Sequence, residues 1–274
     1  LIATQLAEIL RGRGQSAMAL ALLQQVDAGL EQPPTRSIVE YGSLLQFVGR
    51  RDDARVQLQR ALDRYTDGLV FSSEDTGMVA RASWLLGDFH DANSLFTEAT
   101  RLDPSNLEAQ VLWGELFLEK YNAADAQRSF EDALAVNSRY LPALVGIARV
   151  TGNREALERA LAINPSSVLA LQTQAQLLFI NDAEEEALAA IDEALAINPE
   201  SMKSLSLLGA KAALEEREQD FAELRARIDA FSPNNPQFLG DVADTLGKQY
   251  RFVEAVALAR EAIASDPNYW QGYT

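Results

Sequence analysis

No cysteine occurs in the 274-residue chain, so disulfides, thiolate metal sites and cysteine nucleophiles are excluded. Histidine occurs once, at His90, which rules out a multi-histidine zinc site built from this chain alone. Positive charge is scarce: 24 Lys and Arg stand against 40 Asp and Glu, a net charge of −16. Such a surface repels phosphate backbones and anionic headgroups, which argues against nucleic acid and membrane surfaces and favours neutral or basic partners. No apolar run approaches the ~20 residues needed to span a bilayer. No charged-then-apolar leader is visible, and the absence of cysteine fits a cytoplasm or a periplasm equally. The chain starts at Leu1 rather than Met, which puts the natural N-terminus upstream or marks it as trimmed.

What the chain does have is apolar material, 47% of its residues, enough for a substantial core. It also repeats itself: Ala160–Pro165 reads ALAINP, and so does Ala194–Pro199, 34 residues later. Pro165, Pro199, Pro233 and Pro267 follow one another at that same step of 34, and Pro104 lies 34 plus 27 residues before Pro165. Five residues before these prolines stand Ala99, Ala160, Ala194, Ile228 and Ala262. Twelve residues before stand Ala92, Ala187 and Ala255, with Asn153 and Phe221 as exceptions.

Alanine at recurrent positions lets two helix backbones approach closely while a larger neighbour fills the remaining space. Proline cannot continue a helix and pushes the residue before it out of the helical region, which places Asn164 and Asn198 in turns. ALAINP therefore recurs because a geometry recurs, and no shared chemistry is needed to explain it.

The 34-residue period resembles the tetratricopeptide repeat, a pair of antiparallel helices that stacks into a solenoid. The clearest unit has Trp113, Gly114 and Phe117 in its first helix and Ala126, Phe130 and Ala133 in its second, with Ser138 in place of the closing proline. The resemblance implies an all-α, right-handed solenoid of about eight hairpins, as one array over residues 1–274. The units fall at 1–34, 35–68, 73–106, 107–140, 141–167, 168–201, 202–235 and 236–269, with a ninth beginning at 270–274. Residues 69–72 are an insert, the fifth unit is seven residues short, and the seventh is degenerate at Phe221, Arg225 and Ile228. A chain that stops within a unit is expected to be a piece of a longer polypeptide. Two stretches, Gly114 to Asn122 and Tyr250 to Val256, further resemble the repeat region of large bacterial proteins in which a zinc-peptidase-like domain follows the array.

Catalytic constellations are missing. His90 reads as an exposed turn residue, and Gly12-x-Gly14-x-x-Ala17 follows a helical pattern where a dinucleotide fingerprint needs a strand. Glu184-Glu185-Glu186 and Glu215-Glu216 fit helix starts or turns, where acidic side chains favour the helix dipole. Asp103-Pro104-Ser105 lacks the glycine and the closing Glu of a calcium loop. No enzyme, metal or cofactor site is expected within these residues.

The repeat resemblance instead implies a concave groove lined by the first helices, with ligands lying against positions 2, 5, 9 and 12 of each unit. Carried across by position, these are Arg81, Trp84, Glu108, Val111, Glu115, Leu118, Gln172, Gln176, Phe179 and Lys203. Trp84 and Phe179 either anchor a ligand or pack against the next unit. The basic clamp for a terminal carboxylate found in part of the family is not matched, since position 5 reads Gly77, Val111, Val145, Gln172, Ser206 and Gly240. The expected function is a non-catalytic protein- or peptide-binding scaffold. The alternatives are a substrate-recruiting arm of a larger peptidase-like protein, and self-association through the C-terminal face.

Overall fold

The computed structural model describes residues 2–120, 122–267 and 269, and the proposed start of a ninth unit at 270–274 lies outside them. Among the described residues there are sixteen α-helices and no strand. The first four hairpins are α1 (Ile2–Gly12) with α2 (Ser16–Gly29), α3 (Thr35–Phe47) with α4 (Arg51–Thr66), α5 (Ser73–Leu85) with α6 (Phe89–Leu102), and α7 (Leu107–Glu119) with α8 (Ala123–Val136). The next two are α9 (Leu141–Thr151) with α10 (Arg154–Ile163) and α11 (Val168–Ile180) with α12 (Glu184–Ile197). The last two are α13 (Met202–Leu214) with α14 (Glu218–Asp229) and α15 (Gln237–Lys248) with α16 (Phe252–Ser265).

Helix boundaries follow local chemistry. Ser72, Asp88, Asn106, Asn122, Asn153, Ser167 and Ser201 each cap a helix by accepting a backbone N–H three residues on. The second ALAINP ends as the first does: Asn164 and Asn198 are extended, with φ of −144° and −130°. Each side-chain oxygen then accepts a backbone N–H from two residues on, Ser166 or Glu200, at 3.0 Å. Asp103 and Asn137 form the same turn, with Ser105 at 2.8 Å and Arg139 at 3.0 Å.

The recurrent alanines are where the hairpins meet. Ala92, Ala99, Ala126, Ala133, Ala160, Ala187, Ala194 and Ala262 all have 0% exposure. Phe130 shows how tightly large and small residues are matched. Its fully buried ring sits between Gly114 of α7 and Gly146 of α9, and a Cβ on either glycine would come within 2.6 Å of it. The fifth hairpin is built from helices of 11 and 10 residues, where its neighbour α11/α12 has 13 and 14. α9 stops at Gly152, whose φ of 70° is a left-handed C-cap.

Stacking carries the superhelix far enough round for its two ends to touch. At the tip of the first hairpin, Ser16 N–H donates to the Glu200 carboxylate at 3.1 Å, and the Asn198 amide donates to the Arg11 carbonyl at 3.4 Å. At the tip of the second, the Phe47 carbonyl accepts from the Ser232 hydroxyl and from the Asn235 amide, the latter at 3.2 Å. The Phe47 ring stacks on Phe231 with centroids 5.8 Å apart. Arg51 pairs with Asp266 at 3.1 Å and donates to the Asn234 and Ser265 carbonyls. Gly14 and Gly49 have φ of +67° and +80°, and a Cβ on either would lie 2.7 Å from Asn198 or 2.5 Å from the Pro233 carbonyl oxygen. The seam is thus a set of loop contacts, each worth about 1 kcal/mol or less.

Replacing Gly146 by valine is expected to lower unfolding stability by about 2–3 kcal/mol through overpacking against Phe130. In a Phe130→Ala background the same change should cost much less, and urea unfolding of the four chains reads that non-additivity.

Candidate binding face

The odd-numbered helices line the inside of the superhelix, and long charged side chains tie them to one another. Arg36 of α3 pairs with Glu8 of α1 at 3.5 Å and makes a two-armed contact with Glu108 of α7, with one arm at 3.0 Å. A bond between α3 and α7 skips α5, so the inner face curves tightly there. Glu40 of α3 receives Arg81 of α5 and, at 3.6 Å, Arg11 of α1, and both guanidinium groups also reach the Ser43 hydroxyl. Further round, Glu115 of α7 pairs with Arg149 of α9 at 2.5 Å and Lys203 of α13 with Asp241 of α15 at 3.5 Å.

Burial by itself pushes the Glu40 carboxyl up, but Arg81, Arg11 and Arg36 outweigh it and hold the group below the ordinary carboxylate range. Glu8 goes the other way: burial, reinforced by Glu40, raises it against the pull of Arg36. The Tyr269 hydroxyl is driven well above its usual value by burial first, then by Asp241, Glu119 and Asp244.

Six helices, α5 to α15 by odd numbers, converge on an open cavity of about 640 Å³. Trp84, Glu115, Leu118, Gln172, Gln176 and Lys203, all inferred from repeat position, lie in its wall. The remaining four inferred residues are placed elsewhere. Arg81 and Glu108 are held in the ion pairs with Glu40 and Arg36. Val111 is 9% exposed and belongs to the core around Phe130 and Ala143, because its side chain faces the next hairpin rather than the groove. Phe179 packs with Ala175, Ile191 and Leu207. Trp84 does two things: it packs beside Val79 and Phe96, and its indole N–H donates to Glu119 at 2.6 Å.

The cavity is also lined by Ile180, Glu119, Asp241 and Tyr269, which lie off positions 2, 5, 9 and 12, and by Leu169, which holds position 2 of its unit but was not among the inferred residues. Helix α11, without a charged residue, gives its share of the wall as Leu169, Gln172, Gln176 and Ile180, of which Leu169 and Ile180 are 39% and 57% exposed. Their helical spacing was available in the sequence as a signal. Charge in the wall is close to balanced, with Glu115, Glu119, Asp241 and Asp244 against Arg149, Lys203 and Lys248. All three cations are engaged, Lys248 with Asp244 at 2.7 Å, so no free basic clamp faces the cavity. The acidic excess of the chain therefore sits mainly outside, as in the Glu184–Glu186 start of α12.

His90 is exposed near the start of α6, and no group of three His, Asp or Glu residues that could hold a metal exists among the described residues. At the far end, Tyr250, Phe252 and Val253 form an exposed apolar patch, at 81%, 60% and 82% exposure.

No family model and no curated protein matches the chain. Solved structures do. One, titled as the crystal structure of the APC/C hetero-tetramer Cut9-Hcn1, superposes with a TM-score of 0.59 over 97% of this chain at 14% identity. The chain spans 53% of that protein's length. A tetratricopeptide repeat protein from Parabacteroides merdae ATCC 43184 superposes with a TM-score of 0.58 at 16% identity, covering 88% of this chain and 96% of its own. The fold is thus the all-α solenoid of tetratricopeptide repeat proteins.

Replacement of Glu40 by glutamine should cost about 3 kcal/mol at neutral pH, because it leaves Arg81 and Arg11 without their counter-charge. Glu40 is depressed in the folded state, so its stabilisation is present above the unfolded value of about 4.3 and fades as pH falls through the lower folded value. Urea unfolding at pH 7 and below pH 4 should show the two chains converging in acid.

Proposed function

We propose that the chain is a non-catalytic scaffold that binds a polypeptide partner along its inner face. The observation that carries the reading is the convergence of Trp84, Leu118, Leu169, Ile180 and two glutamine amides, Gln172 and Gln176, on one open cavity. Aromatic and aliphatic side chains supply apolar contact area; the Gln176 amide offers both a donor and an acceptor to a peptide backbone, and Gln172, whose amide N–H donates to the Ser201 hydroxyl, offers its carbonyl oxygen. Because the wall cations are already paired, a partner with neutral or basic side chains suits the face better than an acidic one. The assembly of Cut9 with Hcn1 in a hetero-tetramer supports the use of this fold for holding a partner.

A peptide-display library selected on the immobilised chain should enrich neutral or basic sequences. Both Trp84→Ala and Gln176→Ala should weaken their binding, the tryptophan by about 30-fold as for an interface anchor. Enriched peptides that bind all three chains equally would remove this face as the site.

A second reading, self-association, is favoured by the exposed Tyr250, Phe252 and Val253 patch. It predicts a mass by light scattering that rises with concentration and falls back to 30.1 kDa in a Val253→Asp variant.

A further inference from the structure

The seam between the two ends of the superhelix bridges one side of the open groove. The tips of the first two hairpins rest on the turns at Asn198 to Glu200 and Ser232 to Asn235, and Arg51 reaches Asp266. A second cavity of about 300 Å³ is bounded by residues from both sides of that seam, among them Phe47, Arg51, Asn235 and Asp266. It shares Trp84, Glu119, Gln237 and Tyr269 with the 640 Å³ cavity, so these four residues stand between the two.

Size decides what fits. A helix about 10–12 Å across would occupy the 640 Å³ chamber with roughly one turn. An extended segment, about 4.8 Å by 10 Å in section, would place roughly four residues there. The remaining wall is built of helix packing, while the described residues of the seam meet through loop hydrogen bonds, the Arg51–Asp266 ion pair and Phe47, which stacks on Phe231 and packs against the core of the last hairpins. The seam is the part of the wall that can part without unfolding a hairpin.

We propose that the Arg11–Ser16 and Phe47–Arg51 loops are a latch: closed, it leaves room on the inner face for a single segment of chain, and its release is what lets a folded partner reach that face. The glycines fit this role. Gly14 and Gly49 stand at tips that carry a docked turn and have no room for a Cβ. Positive φ by itself does not mark docking, since Asp182, Glu216 and Tyr250 near 60° and Gly152 at 70° stand at other tips, and a Cβ on Gly152 would meet nothing within 4 Å. The inference rests on the inner face as the binding surface, but its test needs no ligand.

The cysteine-free chain allows a single thiol inside the larger cavity, Gln176→Cys. Three maleimide probes would be compared: a small one, one on an unstructured Gly-Ser peptide, and one on a small folded protein joined by a short linker. The first two should label the parent readily and the folded carrier at least about tenfold more slowly. Adding Gly14→Val with Gly49→Val, or separately the surface change Arg51→Glu, should raise the folded-carrier rate about tenfold, leave the other two unchanged and enlarge the radius of gyration in solution scattering. Circular dichroism identifies a variant that fails to fold, in which case the Arg51→Glu result decides. Equal folded-carrier rates in latched and unlatched chains, fast or slow, would overturn the latch. Loss of peptide binding with the labelling pattern intact would overturn the binding reading alone.

Discussion

Everything in this molecule follows from the close approach of helix backbones at positions where only a very small side chain fits. A single hairpin exposes an apolar stripe on both flanks, so no unit is stable until its neighbours cover it. The fully buried alanines and the fit of Phe130 between two glycines fix how closely, and at what angle, each hairpin meets the next. Repeated along the chain, that fixed step becomes a superhelix, and after six hairpins the first tip meets the turn at Asn198–Glu200. The seam is a consequence of the step, and glycine at two tips is what makes the contact sterically allowed.

The inner face illustrates a balance between rigidity and recognition. Ion pairs between neighbouring first helices, and the Arg36–Glu108 pair across two hairpins, hold the curvature of the groove. Buried or half-buried charges are costly unless paired, so these side chains are committed to each other before any partner arrives. The uncharged part of the cavity wall is the stripe of α11 together with Trp84 and Leu118. An almost neutral interior within a chain of net charge −16 places the surplus acidity outside, where its field repels other anions.

Much of the fold was legible in the residues themselves. The 34-residue step, the alanines five and twelve positions before most of the spaced prolines, and the Asn-Pro turns describe local geometry, and local geometry repeats faithfully when the sequence does. Part of the groove was legible as well, since Gln172, Gln176, Trp84 and Leu118, carried across from positions 5, 9 and 12 of their units, line the cavity. Val111 was not, because position 5 lies at the border between groove and core and the ring of Phe130 draws it inward. Nor were Asp241 and Tyr269, which meet the wall only because the last hairpin comes round to face α7.

The amino-acid sequence by itself determined the unit: two helices, where they stop, and which small residues let the next pair approach. The tertiary structure alone decided that the array closes on itself, that Arg36 reaches past α5 to Glu108, and that two neighbouring cavities meet at Trp84, Glu119, Gln237 and Tyr269. The physical reason is that a period encodes one nearest-neighbour step. The closure depends on the sum of many such steps, including the two shortened helices of the fifth hairpin, and a sum of small rotations is written in no single residue.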